Sequence, residues 1–153
     1  MKIIPLKQWI CDSCGKIIKK PKDGWYEWYS DNKTALHTGF RIVHHRPNCM
    51  YDDKALHQQN RSEHSLPLSY VVGSAGRSAG LGYFLFSIVL AEKKEVYKLA
   101  DIEEYIEIIR RLYLPYWEEA RLYWDNALKY GFHDGCDFSE DMLLSIIMKY
   151  RES

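Results

Sequence analysis

Cys11-Asp-Ser-Cys14 and, some thirty residues on, His44-His45-Arg-Pro-Asn-Cys49 constrain this chain more than any other feature. Two thiolates separated by two residues chelate one tetrahedral ion from a tight turn, and an imidazole-thiolate pair further along closes the shell. Soft thiolates with one imidazole select Zn2+, and three cysteines with one histidine fill the tetrahedron, which marks a closed structural site rather than a catalytic one. The expected ligands are Cys11, Cys14, His45 and Cys49. His45 is preferred because three residues separate it from Cys49, which makes the shorter chelate. His44 is the alternative ligand, since a shift of one residue in strand register exchanges the two. The competing account is a set of free, partly buried cysteines with unrelated histidines.

Around this pattern the segments fall in a definite order. Ile3 to Ile10 is a short extended lead-in, and Gly15 supplies the backbone freedom a Cys turn needs. Gly24-Trp-Tyr-Glu-Trp-Tyr-Ser30 and Gly39-Phe-Arg-Ile-Val-His44 are strand-preferring runs on either side of the polar break Asp31-Asn-Lys33, so a hairpin is expected. Strand alternation sets Phe40, Ile42 and His44 on one face and Arg41, Val43 and His45 on the other, so one histidine ligates. Pro47 and Asn48 turn the chain, and Cys49 to Gln59 reads as a helix. Knuckle, hairpin and helix, over roughly residues 8–60, resemble a treble-clef or zinc-ribbon-like zinc finger. The segment departs from that class in having His45-x-x-x-Cys49 where the second pair is usually Cys-x-x-Cys. Some treble-clef nucleases of the His-Asn-His type carry a catalytic histidine beside the hairpin, and by that resemblance His44, with Asn60 and His64 downstream, is the candidate for metal-dependent cleavage.

Beyond residue 60 the pattern changes. Residues 61–82 are expected to be a linker ending in a Gly-rich connector. Glycines at 73, 76, 80 and 82 match neither the P-loop nor the dinucleotide spacing, which leaves flexibility or close helix approach as their use. Tyr83 to Leu90 is read as a buried helix. Asp101 with Glu104 makes a capping-box start, and Ile102, Tyr105, Ile106, Ile109 and Tyr113 share a face. Pro115 separates this helix from a second, with Tyr116, Ala120, Tyr123, Trp124 and Ala127 as its stripe and Gly131 as its stop. A third, starting near Asp137 or Ser139, packs through Leu143, Ile146, Ile147 and Tyr150. Glu118 and Glu119 are expected on solvated faces, and Cys136 has no evident orienting partner.

The expected fold class is therefore α+β: a zinc-bound hairpin and helix over residues 1–60, a connector over 61–82, and a three- or four-helix bundle over 83–153. Formal charge is zero overall, with eleven basic and seven acidic residues through Pro67 and ten against fourteen after it. That balance is too weak for a general nucleic-acid binder, although Lys16, Lys19, Lys20 and Lys22, beside Trp25, Tyr26, Trp28 and Tyr29, keep a base-stacking zinc finger as an alternative. Paired cysteines without an apolar leader imply a reducing, cytoplasmic setting. The longest apolar run, Leu81 to Ala91, is about half the roughly 20 residues of a membrane span, so no membrane helix is expected. A zinc-stabilised binding or adaptor protein, acting on a protein partner or on itself, is the expected function, with the His-Asn-His nuclease as the enzymatic alternative.

Overall fold

The computed structural model describes residues 2–72, 77–93 and 98–151, and its architecture is mixed α+β. A small antiparallel knuckle, β1 (Trp9–Ile10) with β2 (Ile17–Ile18), leads into the expected hairpin of β3 (Gly24–Asp31) and β4 (Leu36–His44). The helix after Cys49 is shorter than expected. As α1 (Asp53–Gln58) it begins only where the Asp52 carboxylate accepts from the Lys54 and Ala55 amides, because that residue caps orphan N–H groups.

The stretch expected to begin a connector is instead β5 (Arg61–Pro67), hydrogen-bonded antiparallel to β3 from Trp25↔Pro67 to Asp31↔Arg61. Its polar sequence hides a strand because every residue in it is only half-buried. Asn60, at φ 56°, reverses the chain after α1 and returns it along β3; Asn tolerates this left-handed conformation better than most residues. After α2 (Leu68–Val72), α3 (Arg77–Lys93) contains the helix expected at Tyr83 to Leu90. A two-residue strand, β6 (Lys98–Leu99), adds parallel to β4, giving the sheet order β5-β3-β4-β6.

One face of this sheet makes the main core. Tyr26, paired with Ile42 and Leu66, and Trp28, paired with His64, project to the side covered by α2, α3 and α4 (Ile102–Tyr113). There Tyr26 meets Phe84 edge-on at 5.2 Å, and Phe40 meets Tyr105 at 5.0 Å. Ile108 and Leu112 complete the layer. Buried aromatic pairs of this kind add about 0.5–1.5 kcal/mol each beyond the area they bury.

The helices do not share one core. Tyr116, at φ 66°, precedes the expected second helix, which is divided into α5 (Trp117–Ala120), a 3-10 turn at Arg121–Tyr123 and α6 (Trp124–Lys129), with Tyr123 leaving helical geometry at φ -116° and ψ 0°. With α7 (Glu140–Tyr150) these pack a separate cluster around Trp117, Ala120, Leu143 and Ile147. In α4 the buried face is Tyr105, Ile108, Arg111 and Leu112, while Ile102 is half-exposed. Asp101 caps α4 as expected, but the Glu104 carboxylate turns to the sheet, accepting from Thr38 Oγ1 and Phe40 N at 2.9 Å each. No helix among the described residues is long and apolar enough to cross a membrane.

Candidate metal centre

The knuckle is built by backbone hydrogen bonds before any side chain acts. Gly15, at φ 69°, donates to Cys11 O at 2.8 Å, and Cys11 N donates to Lys16 O at 2.9 Å. This tight turn carries both Cys11 and Cys14. It is then laid against β4: Asp12 N donates to Ile42 O at 2.9 Å, and Ile42 N donates to the Asp12 carboxylate at 2.7 Å. Because His44 lies two residues beyond Ile42 on the same face, the register brings its ring to the knuckle. Cys49 arrives from the following turn, where its amide donates to Arg46 O at 2.9 Å.

Cys11, Cys14, His44 and Cys49 thus each present one ligand atom, all within 4.8 Å of one another. His44 Nδ1 is 3.4 Å from Cys14 Sγ, and His44 N donates to Cys11 Sγ at 3.4 Å. Around a tetrahedral ion with bonds of about 2.3 Å to sulfur and about 2.0 Å to nitrogen the donors lie about 3.5–3.8 Å apart, so small side-chain shifts close the shell. The four residues fit a metal ion such as zinc. His45, the preferred histidine in sequence, is exposed; its amide donates to Asp23 O and its ring lies 4.7 Å from that of Trp25. The structure brings His44, not His45, into the cluster, because the alternation that carries Ile42 to the knuckle carries His45 to the opposite face.

Electrostatics at the cluster favour a cation. The Lys16 amide holds the Cys14 thiol below its ordinary pKa, while burial, with the two neighbouring thiols, pushes Cys49 up to about 11. Crowded sulfurs cannot all ionise against one another, and an ion that binds them as thiolates removes that conflict.

No family model, curated protein or solved structure matches the chain. The site is therefore understood from its own geometry.

Three supporting residues have no signature in the spacing. Arg111, almost excluded from water, donates from Nη1 to Asp12 at 2.6 Å and forks onto both oxygens of Glu118 at 2.8 and 3.0 Å. Glu118 also accepts from Ile10 N at 2.7 Å. Both Glu118 and Glu119 are buried rather than solvated, and Glu119 joins Ile3 N to Arg151. Their helical spacing looks like a charged surface, and only the arrival of the N-terminal segment through Ile3 and Ile10 makes it an interior. Cys136 is exposed and outside the cluster.

On the other side of β3 and β4, Glu27 is wholly buried and bound by Arg41 Nε at 2.7 Å, with the Arg41 guanidinium 3.5 Å above the Tyr51 ring. Burial still raises the Glu27 pKa despite that cation. Of the four hairpin aromatics, Tyr26 and Trp28 are core residues and so are withdrawn from any base-stacking surface.

Proposed function

We propose that the protein is a zinc-stapled interaction module that docks on protein surfaces through α3, beginning with a second copy of itself. The cluster of Cys11, Cys14, His44 and Cys49 holds Zn2+ as a closed staple, joining the knuckle, the end of β4 and the turn before α1 in a treble-clef-like order. Its chemistry is structural: four protein donors leave no coordination position for a substrate. A reducing, cytoplasmic setting belongs to the same proposal, since the staple requires reduced cysteines.

One observation carries the interaction reading. Gly80, Phe84 and Ser87 are the buried side of α3, yet the opposite side is also apolar, with Leu85 51%, Phe86 61% and Val89 46% exposed. No charged residue lies between Arg77 and Glu92 in the sequence. A surface helix normally turns charged residues to water, and a contiguous apolar face marks an interface. An uncharged face has no like charges to oppose its own image, which suits pairing about a two-fold axis.

Light scattering during gel filtration tests this. A particle of two chains is expected, becoming one chain on Phe86→Glu with the metal retained. Wild-type protein that stays single at high concentration overturns self-association. Membership of His44 in the cluster weighs against the nuclease alternative, and His45 beside it lies tilted against the ring of Trp25.

A further inference from the structure

A cleft of about 640 Å3 opens where three separate chain segments meet, and four cations line it: Lys7, Lys19, Lys20 and Arg77. Three local devices place them. Lys7 sits in the turn in which Lys7 N and Gln8 N donate to Ile4 O at 3.2 and 3.0 Å, with Leu6 held in the left-handed region at φ 56°. Lys19 and Lys20 follow β2 and run into the 3-10 turn at Pro21–Asp23. Arg77 is the first residue of α3, which is seated against α2 through Gly80, where a Cβ would collide with Val71 O and the Tyr113 hydroxyl.

Among the described residues no carboxylate lines the cleft, and none of the four cations makes an ion pair. Gathering like charges without a counter-charge is unfavourable, and low-dielectric walls concentrate their field on whatever anion enters. The walls are Leu6, Pro21 and the buried Val72. Lysines bind phosphate as point charges and an arginine binds it through a fork, so the polar lining suits phosphate oxygens. An inorganic ion would leave the apolar wall unused, and the volume lies within the roughly 300–1,000 Å3 typical of small-ligand sites.

We propose that this cleft binds an organic phosphate of mononucleotide size, its phosphates on Lys19, Lys20 and Arg77 and its organic part against Leu6, Pro21 and Val72. The site shares no residue with the metal cluster or with the apolar face of α3. Lys16, in the knuckle turn before β2, and Lys22, in the 3-10 turn after it, are close in sequence but do not line the cleft, which provides an internal control.

Isothermal titration of the full, zinc-loaded chain with ADP, pyrophosphate and a twelve-nucleotide single-stranded DNA, at low and at physiological salt, tests the assignment. ADP should bind several-fold more tightly than pyrophosphate. Lys20→Glu and Arg77→Glu should each weaken ADP at least tenfold with an unchanged thermal melt, while Lys22→Glu stays within twofold of wild type. Equal losses for Lys22→Glu and Lys20→Glu would reduce the cleft to an unspecific basic surface and overturn the proposal. Binding of the oligonucleotide without ADP would overturn it in favour of a nucleic-acid backbone, and absence of heat with 5 mM of every probe would overturn it outright.

Discussion

Arg111 on α4 donates from Nη1 to Oδ2 of Asp12 at 2.6 Å, so the turn that carries Cys11 and Cys14 is tied to a helix ninety-nine residues away. The same guanidinium binds Glu118 and donates to Ile10 O, and Trp9 Nε1 donates to the Arg111 carbonyl at 3.0 Å. The cysteine knuckle is therefore part of the main fold rather than an appendage.

Arg111→Leu takes from the buried Glu118 carboxylate its shorter-bonded cation and leaves only the partly exposed Arg121, at 3.2 and 3.3 Å, so the cost should approach but not exceed the roughly 3–5 kcal/mol of breaking a buried pair. A fall of that order in the free energy of unfolding, read from a lowered urea midpoint at unchanged slope, is expected. Replacing both residues, Arg111→Leu with Glu118→Leu, removes the stranded charge and should recover part of the loss. A double variant less stable than the single one would show that the pair itself, and not the stranded charge, supplies the stability.

The two histidines separate the metal assignments. His44→Ala should weaken zinc binding by more than the roughly 10–100-fold that loss of an outer-shell partner costs. His45→Ala should leave one equivalent of zinc bound with near wild-type affinity, measured by competition with a chromophoric chelator. The opposite ranking would move the ligand to His45. Removing the metal should also unfold the knuckle, seen as loss of amide-exchange protection around Cys11 and Cys14.

What could be seen in the sequence and what could not divides along tertiary contact. The cysteine pair, the strands around Trp25 and Phe40 and the helices with Tyr105 and Ile146 announce themselves, because local spacing alone encodes them. The choice of His44 over His45 does not, since it depends on the register in which Ile42 meets Asp12. Arg61 to Pro67 carries almost no strand propensity and becomes β5 only because β3 offers it a free edge. Glu118 and Glu119 have the spacing of surface residues, and their burial is decided by Ile3 and Ile10, more than a hundred residues earlier. Pairing partners from distant segments override local preference at each of these places.

Acid should destabilise the sheet through His37 and His64, whose rings lie 5.3 Å apart. Burial lowers both pKa values, and for His37 the neighbouring imidazole adds to the effect. His37 Nδ1 accepts from Trp28 Nε1 at 2.9 Å, so a proton there would set one N–H against another. The unfolded chain takes up protons near the ordinary histidine pKa of about 6.5, and the folded chain only at lower pH. Their contribution is therefore whole above about pH 6.5 and is lost as pH falls through the depressed folded values. Urea midpoints measured from pH 7.5 to 5 should fall more steeply for wild type than for His37→Gln with His64→Gln. Proton uptake by the cysteine cluster is common to both proteins and cancels in the comparison, so parallel curves would refute the assignment.

Two glycines of α3 should respond in opposite directions to the same substitution. At Gly80 an added methyl collides with the carbonyl of Val71 and with the Tyr113 hydroxyl, which itself donates to that carbonyl at 2.9 Å. Backbone there cannot retreat without lifting α3 from α2, and overpacking of this kind costs about 1–3 kcal/mol. At Gly82 nothing lies within 4 Å of the added atom, and alanine is worth about 0.8–1 kcal/mol more than glycine in a helix interior. Gly80→Ala should accordingly lower the Tm and Gly82→Ala raise it, in thermal unfolding followed by circular dichroism. Because Arg77 lies one turn before Gly80, Gly80→Ala should also weaken ADP at the basic cleft, and Gly82→Ala should leave it unchanged.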